Sequence, residues 1–265
     1  MKKQLTLVTV IAGFSLLFFV GVIAGTALAD VQQWPGTKWF QAPEMTEPWG
    51  YDIVSQYDPT GFAPTQVVMD DWLCEGNTPV KGFRWWGSYF NEHSIQNLTG
   101  FWLSIHADIP AVVGGEPSHP DPLVRYVEEF VPIADIAYEH PIGVDSFGDP
   151  VYEYFALLDE CFWQQGTPEN PVVYWVNIVA EIDNPDEDIT DDVWGWHTSS
   201  TQNFDDAVSL TNYNFDTGEY DEYTPLECGP HGSLDMAFEV VPEPGTLLLA
   251  VPAIFGLAAV IRRRK

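Results

Sequence analysis

The sequence predicts an all-β protein whose body, residues 30–240, is an antiparallel, jelly-roll-like β-sandwich. Short runs of alternating apolar residues recur along it, separated by Gly, Pro, Asn and Asp. No stretch of the body keeps a 3.6-residue period for more than two turns, so helix content should be low. There is no internal repeat and no low-complexity linker, and the length suits one domain with a substantial core.

In chain order, residues 30–65 are rich in Pro, Gly and Trp (Trp34, Trp39, Trp49) and read as an irregular lead-in. Strands are expected near 66–73, 80–89, 100–108, 123–131, 151–159, 171–182, 192–198, 206–211 and 234–240. The segment 110–122, with four prolines and Gly114-Gly115, reads as a loop, as does Asp183 to Asp192. Alternation separates the strand faces. Phe101, Leu103, Ile105 and Ala107 form a core face, opposite Trp102, Ser104, His106 and Asp108. Val172, Tyr174, Val176, Ile178, Ala180 and Ile182 oppose Val173, Trp175, Asn177, Val179 and Glu181. Phe83, Trp85 and Tyr89 oppose Arg84, Trp86 and Ser88.

The two ends read as targeting segments. Lys2 and Lys3 precede an apolar run, Leu5 to Ile23, and Ala27-Leu28-Ala29 reads as a cleavage site before Asp30, making residues 1–29 a signal peptide; an uncleaved anchor is the alternative. At the other end, Val241-Pro242-Glu243-Pro244 leads to sixteen uncharged residues, Thr246 to Ile261, then Arg262, Arg263, Arg264 and Lys265. As a helix the run spans roughly 24 Å, a little short of a ~30 Å hydrocarbon core. A buried core helix is the other reading, but the terminal cations favour a transmembrane helix over 246–261 with the body outside.

This tail, residues 241–265, resembles the PEP-CTERM sorting signal: a Pro-Glu-Pro motif, a hydrophobic helix and an arginine-rich end, in that order. The resemblance implies recognition at Pro242-Glu243-Pro244 by an exosortase-like membrane protease, after the export machinery and signal peptidase have acted. The body would be released or transferred to the cell surface or extracellular matrix, in company with extracellular polysaccharide. The body itself resembles a family of uncharacterised exported bacterial domains, through DDWLC at 70–74, WWGSY at 85–89, GFWLSIHAD at 100–108, WGWHTS at 194–199, DDAV at 205–208 and DMAF at 235–238. That resemblance implies a β-sandwich and no chemistry.

Charge bounds the partners. Of 39 acidic residues only Glu243 lies in the tail, and of ten Lys and Arg six lie at the two ends. The body therefore holds 38 acids against four bases, Lys38, Lys81, Arg84 and Arg125. Such a field repels nucleic acid and argues against polyanionic substrates, leaving divalent cations and neutral polymers. Three cysteines, Cys74, Cys161 and Cys228, suit one disulfide and one free thiol in an exported domain, with three pairings open.

Two constellations carry candidate chemistry. All eleven tryptophans lie in the body. If their strands share a sheet, Trp86, Trp102 and Trp175 with Arg84, His106, Asp108, Asn177 and Glu181 would form a sugar-stacking platform. The alternative is plain packing, since Trp is highly buried on average. The acidic stretch Glu181 to Asp188 offers Asp183, Asp186 and Asp188 as oxygen ligands for calcium. Glu181-x-Asp183-x-x-Asp186 also resembles the E-x-D-x-x-E strand of laminarinase-like glycoside hydrolases, with Asp186 where that family has Glu and Asn184-Pro185 breaking the strand. There is no H-E-x-x-H, G-x-S-x-G or phosphate-cradling loop. The expectation is thus a non-enzymatic surface domain, structural or glycan-binding, with glycoside hydrolysis as the alternative.

Overall fold

The computed structural model describes residues 31–242 apart from 47–49, 62–64, 91–96, 114, 184–192, 201–202, 204 and 228–231. The leader, Glu243, Pro244, the helix 246–261 and Arg262–Arg264 lie outside the described residues, as do Asp186, Asp188 and Cys228. No helix among the described residues is long and apolar enough to cross a membrane.

Among the described residues fourteen strands follow in order: β1 (Trp39–Gln41), β2 (Asp52–Val54), β3 (Gln56–Tyr57), β4 (Val67–Cys74), β5 (Pro79–Tyr89), β6 (Leu98–Ile109), β7 (His119–Pro132), β8 (Tyr138–Val144), β9 (Pro150–Trp163), β10 (Val172–Ile182), β11 (Trp194–His197), β12 (Val208–Thr211), β13 (Glu222–Pro225) and β14 (Phe238–Pro242). All nine expected strands are present. The alternation signal missed the five short or edge strands β1, β2, β3, β8 and β13. The lead-in is less irregular than expected, since β1, β2 and β3 lie in it. The loop expected over 110–122 is shorter, because His119 already pairs with Ile109 in a β6–β7 hairpin.

The strands make two seven-stranded sheets. In the first, β5 is central: β9 and then β8 lie on one side. On its other side β14 pairs with the first half of β5 and β11 with the second, flanked by β1 and β2 respectively. The second runs β13-β12-β4-β10-β6-β7, with β3 parallel to the end of β10. Every other pairing between strands is antiparallel.

The sheets pack through the faces that alternation assigned to the core. Val68 and Trp72, Phe101 to Ile105 and Tyr174 to Ile182 meet Phe83, Trp85, Tyr154, Ala156, Phe238 and Val240. Phe101 of the second sheet is the central knob. Its ring centroid lies 5.0 Å from Trp85, 5.1 Å from Tyr154 and 5.1 Å from Trp194, all on the first sheet. Edge-to-face and tilted contacts of this kind add to the burial they accompany. Asp70, fully buried on the same face, ties the sheets: its carboxylate accepts the Met236 N–H at 2.7 Å and the Gln41 amide at 3.3 Å.

The last strand runs to Pro242, two residues past the expected end of the body. Val241 is buried and paired with Gly82. Cys74 is buried with a free thiol that donates to the Gly76 carbonyl at 2.9 Å.

Phe101→Ala would empty the space between three rings and should cost about 3–5 kcal/mol, read as a lowered midpoint in urea denaturation.

Candidate functional site

The outer face of the second sheet carries the expected Trp102, His106, Asp108, Trp175, Asn177 and Glu181. It is covered. The loop 212–221, between β12 and β13, folds across it and sets Tyr213, Phe215 and Tyr220 against Trp102, Trp175 and Val179. Trp175, His106 and Asn177 are fully buried and Trp102 is half-buried, which corrects the expectation of an accessible aromatic platform. The physical reason is the polar set beneath the loop. Trp102 donates to Glu181 at 2.8 Å and packs on Phe130 and Phe215. Glu181 also accepts from Thr99 at 2.9 Å. Trp175 donates to Asp108 at 2.9 Å. Both amide atoms of Asn177 are buried without a partner.

Arg125 clamps the loop, donating to the carbonyls of Phe215 at 2.9 Å and Asp216 at 2.6 Å and to Glu128 at 2.9 Å. Gly218, at φ +81°, lies where a Cβ would stand 3.1 Å from Arg125 Cδ and 3.2 Å from His106 Cε1; only glycine suits that turn. His106 Nδ1 lies 3.1 Å from the Asp121 carbonyl, so it carries the proton, and Nε2 accepts from the Ser104 hydroxyl at 3.1 Å. Burial pulls the imidazole down to about 4. A neutral, enclosed Ser-His pair with a carbonyl in place of a carboxylate partner has no access for substrate.

Arg84 and Trp86 belong to β5, in the other sheet, so the eight residues do not form one platform. Arg84 is boxed by Trp34, Phe40 and Trp86, with its guanidinium carbon 4.6, 5.8 and 4.9 Å from their ring centroids. It pairs with Glu153 and Glu239 and donates to the Gln32 carbonyl at 2.8 Å. The lead-in is thereby fastened over the first sheet. Nearby, His197 Nδ1 meets Asp52 at 2.9 Å while Ser88 donates to the other oxygen of the same carboxylate. With Asp52 between them, serine and histidine are not a nucleophile-base pair.

A third cluster was not foreseen. Asp71 is fully buried on the outer face of β4 beside Trp175; no side chain donates to its carboxyl, and the Asp205 backbone N–H is its one hydrogen-bonding influence. Burial, and then Asp205, Asp235 and Asp108, push its carboxyl up to about 9. Asp235 is 2% exposed with Oδ1 unpartnered, while Oδ2 accepts the Asn203 N–H. Asp108 and Asp205 line a cavity of about 510 Å³ together with Ser118, Tyr126, Val172 and Tyr174. Among the described residues no three acidic, His or Cys side chains stand in metal-coordinating geometry. Of the expected calcium ligands only Asp183 is described; it is exposed, and its N–H donates to the Asn97 carbonyl at 3.0 Å.

Exposed aromatics lie elsewhere, at the edge where β7 and β9 approach. Trp163 is 65% and Tyr126 49% exposed. Both line a cavity of about 440 Å³ with Glu128, Glu129, Asp159 and Glu160. Two bulges build this groove. Val127 pairs with Ile105 and Arg125 with His106, leaving Tyr126 as an extra residue turned towards Phe162 and Tyr174. In β9, Leu157 faces Gly82 and Phe162 faces Val80, so residues 158–161 bow out opposite Lys81. The Lys81 ammonium fills the bow, donating to the Leu158 and Asp159 carbonyls. Sequence reasoning ended this strand at 159 and missed the groove. The adjacent aromatics Phe162-Trp163, which break the alternation, were the available signal.

Glu128 joins loop and groove. Burial pushes its carboxyl up to about 7, against the lowering pull of Arg125 and the Tyr213 hydroxyl. The protonated form is thus favoured in the fold, so this group's contribution to stability is complete below about pH 4.5 and lost as pH rises through about 7. Glu128→Gln should remove that component, and the difference in melting temperature between parent and variant should change across pH 4.5–7 and level off above it.

No curated protein and no solved structure matches the chain. Residues 37–241, which enclose both sheets almost entirely, match the family described as Domain of unknown function (DUF7901), and the chain belongs to that family.

Proposed function

We propose that this is an exported, non-catalytic surface domain that binds neutral polysaccharide in the groove between β7 and β9. The observation that carries the reading is the exposure of Trp163 and Tyr126 in one cavity that four carboxylates, Glu128, Glu129, Asp159 and Glu160, also line. An indole face stacks on the apolar face of a sugar ring, and carboxylates accept strong hydrogen bonds from hydroxyls. The body's charge favours neutral over anionic polymers. Binding is preferred to hydrolysis because the carboxylate of Glu181, the nucleophile position of the hydrolase-like pattern, is held by Trp102 and Thr99.

Delivery in this proposal follows the leader and the PEP-CTERM-like tail: export, signal-peptidase cleavage, and processing by an exosortase-like protease at Pro242-Glu243-Pro244. The position of β14 favours it. The strand ends at Pro242, so cleavage beyond that residue leaves the pairings with β1 and β5 complete in the jelly-roll-like body. The mature protein then stands at the cell surface or in the extracellular matrix.

Retardation in affinity gels containing a neutral β-glucan tests the groove. Trp163→Ala should abolish retardation with an unchanged melting temperature. Trp102→Ala should lower the melting temperature and leave retardation in place. Equal retardation of Trp163→Ala and the parent, or none for the parent on neutral glucans, would sink the glycan reading. Separately, intact-mass analysis of the surface-exposed protein should find no Arg262–Arg264; a full-length product in a host holding the protease would refute the sorting step.

A further inference from the structure

His197 is wholly buried at the end of β11, and both of its ring nitrogens face acceptors. Nδ1 lies 2.9 Å from Asp52 Oδ1 on β2, and Nε2 lies 2.5 Å from the Glu44 carbonyl in the lead-in. A carboxylate and a carbonyl only accept, so both contacts are hydrogen bonds when each nitrogen carries a proton, and that form is the imidazolium. The surroundings favour its charge. Asp52 is 8% exposed and Asp145, in the turn between β8 and β9, is 7% exposed. Ser88 on β5 donates to the second oxygen of Asp52, and the N–H groups of Phe147 and Asp149 donate to Asp145 Oδ1 at 2.8 and 2.9 Å. Among the described residues no Lys or Arg forms an ion pair with either carboxylate. Charge on a buried carboxylate is costly without a cation nearby, and here the cation is His197. Its Nε2 contact also holds chain. Residues 42–46 lie along 197–200, with the Glu44 N–H donating to the Thr198 carbonyl at 2.9 Å and the Ser200 N–H to the Ala42 carbonyl at 3.0 Å. Met45, next to Glu44, packs against the cluster of Trp86.

We propose that His197 is a proton-operated latch: as imidazolium it fastens residues 42–46 of the lead-in to β11, and on losing a proton it releases the Glu44 carbonyl, so that this part of the cover over the first sheet loosens as pH rises. The proton leaves from Nε2 to solvent, because the charged Asp52 holds the one on Nδ1 more firmly than a neutral carbonyl can. Nε2 then turns a lone pair towards the Glu44 oxygen, and Asp52 and Asp145 lose the charge that offset them. Burial by itself would pull the imidazole down, but Asp52, and after it the Glu44 carbonyl and Asp145, carry it above the ordinary histidine value of 6.5. A group raised in the fold contributes fully below its unfolded value, and the contribution is lost as pH rises through the folded one. The latch is therefore closed below 6.5 and opens above it. It does not depend on glycan binding.

Two measurements on the parent protein test the latch. Nitrogen NMR of the imidazoles should find both His197 nitrogens protonated at pH 6.5, with a titration midpoint above that value. Hydrogen exchange of residues 42–46, corrected for the intrinsic effect of pH on exchange, should lose protection as pH rises through the same midpoint. The loss should be about tenfold for each pH unit that separates the midpoint from the unfolded value. Asp52→Asn identifies the His197 signal and should lower its midpoint by about one unit or more, since an opposite charge is removed from beside the ring. His197→Gln should leave 42–46 poorly protected at every pH, while Glu128→Gln should keep the parent's profile there. A singly protonated His197 at pH 6.5, or protection of 42–46 that stays level through the His197 midpoint, would overturn the proposal. So would an unchanged midpoint in Asp52→Asn. The parent measurements decide the matter even where a variant fails to fold.

Discussion

A scarcity of positive charge governs this fold. The body offers four Lys and Arg side chains to 38 carboxylates, and each of the four donates to main-chain carbonyls where the strands depart from regularity. Lys38 takes the Thr78 carbonyl before β5, Lys81 the bulge in β9, Arg84 the Gln32 carbonyl of the lead-in, and Arg125 the Phe215 and Asp216 carbonyls of the covering loop. A carbonyl freed from a ladder needs a donor. In a chain so poor in cations these donors become fastening points. Arg84 and Arg125 hold the covers over the two outer sheet faces, and Lys81 holds the groove.

Those covers explain why alternation found the strands and misjudged their outer faces. A sandwich strand with one solvated face should alternate apolar with polar, and the outer positions here mix Trp with Ser, His, Asn and Asp. Such a mixture suits a wet binding face. It suits equally a face buried under a loop whose Tyr213 hydroxyl answers some of the polar groups, and that is what occurs. The Tyr213 hydroxyl lies 3.2 Å from both His106 and Glu128, and Phe215 packs on Trp102. Nothing local to 101–108 or 172–182 encodes the arrival of residues 212–221; the covering contact is long-range.

The core was legible for the complementary reason. Period-two patterns depend only on neighbours along the strand, so Phe101, Leu103 and Ile105, and Phe83 and Trp85, could each be grouped on one face of their own strand from sequence. Short strands such as Asp52–Val54 and Gln56–Tyr57 offer too few residues for a period. They form because longer neighbours β11 and β10 present edges to them. The groove was illegible because bulges erase the pattern that reveals strands. Tyr126 and residues 158–161 are out of register, and there Tyr126, Asp159 and Glu160 are exposed while Leu158 stays in the core.

This has a consequence for where function can reside. Each sheet has its inner face in the common core, and much of each outer face lies beneath a cover: the lead-in over Trp86 and Arg84, the 212–221 loop over Trp102 and Trp175. Regular strand surface therefore offers a ligand little. The bulges at Tyr126 and 158–161 both face the β7–β9 edge. Tyr126 also lines the cavity that holds Asp108 and Asp205, so one displaced tyrosine belongs to both cavities. A bulge leaves ladder groups unpaired and needs a restraint such as the Lys81 ammonium. Two bulges converging on one edge, in a chain with four cations, locate the surface on which the rest of the fold leaves side chains free to act.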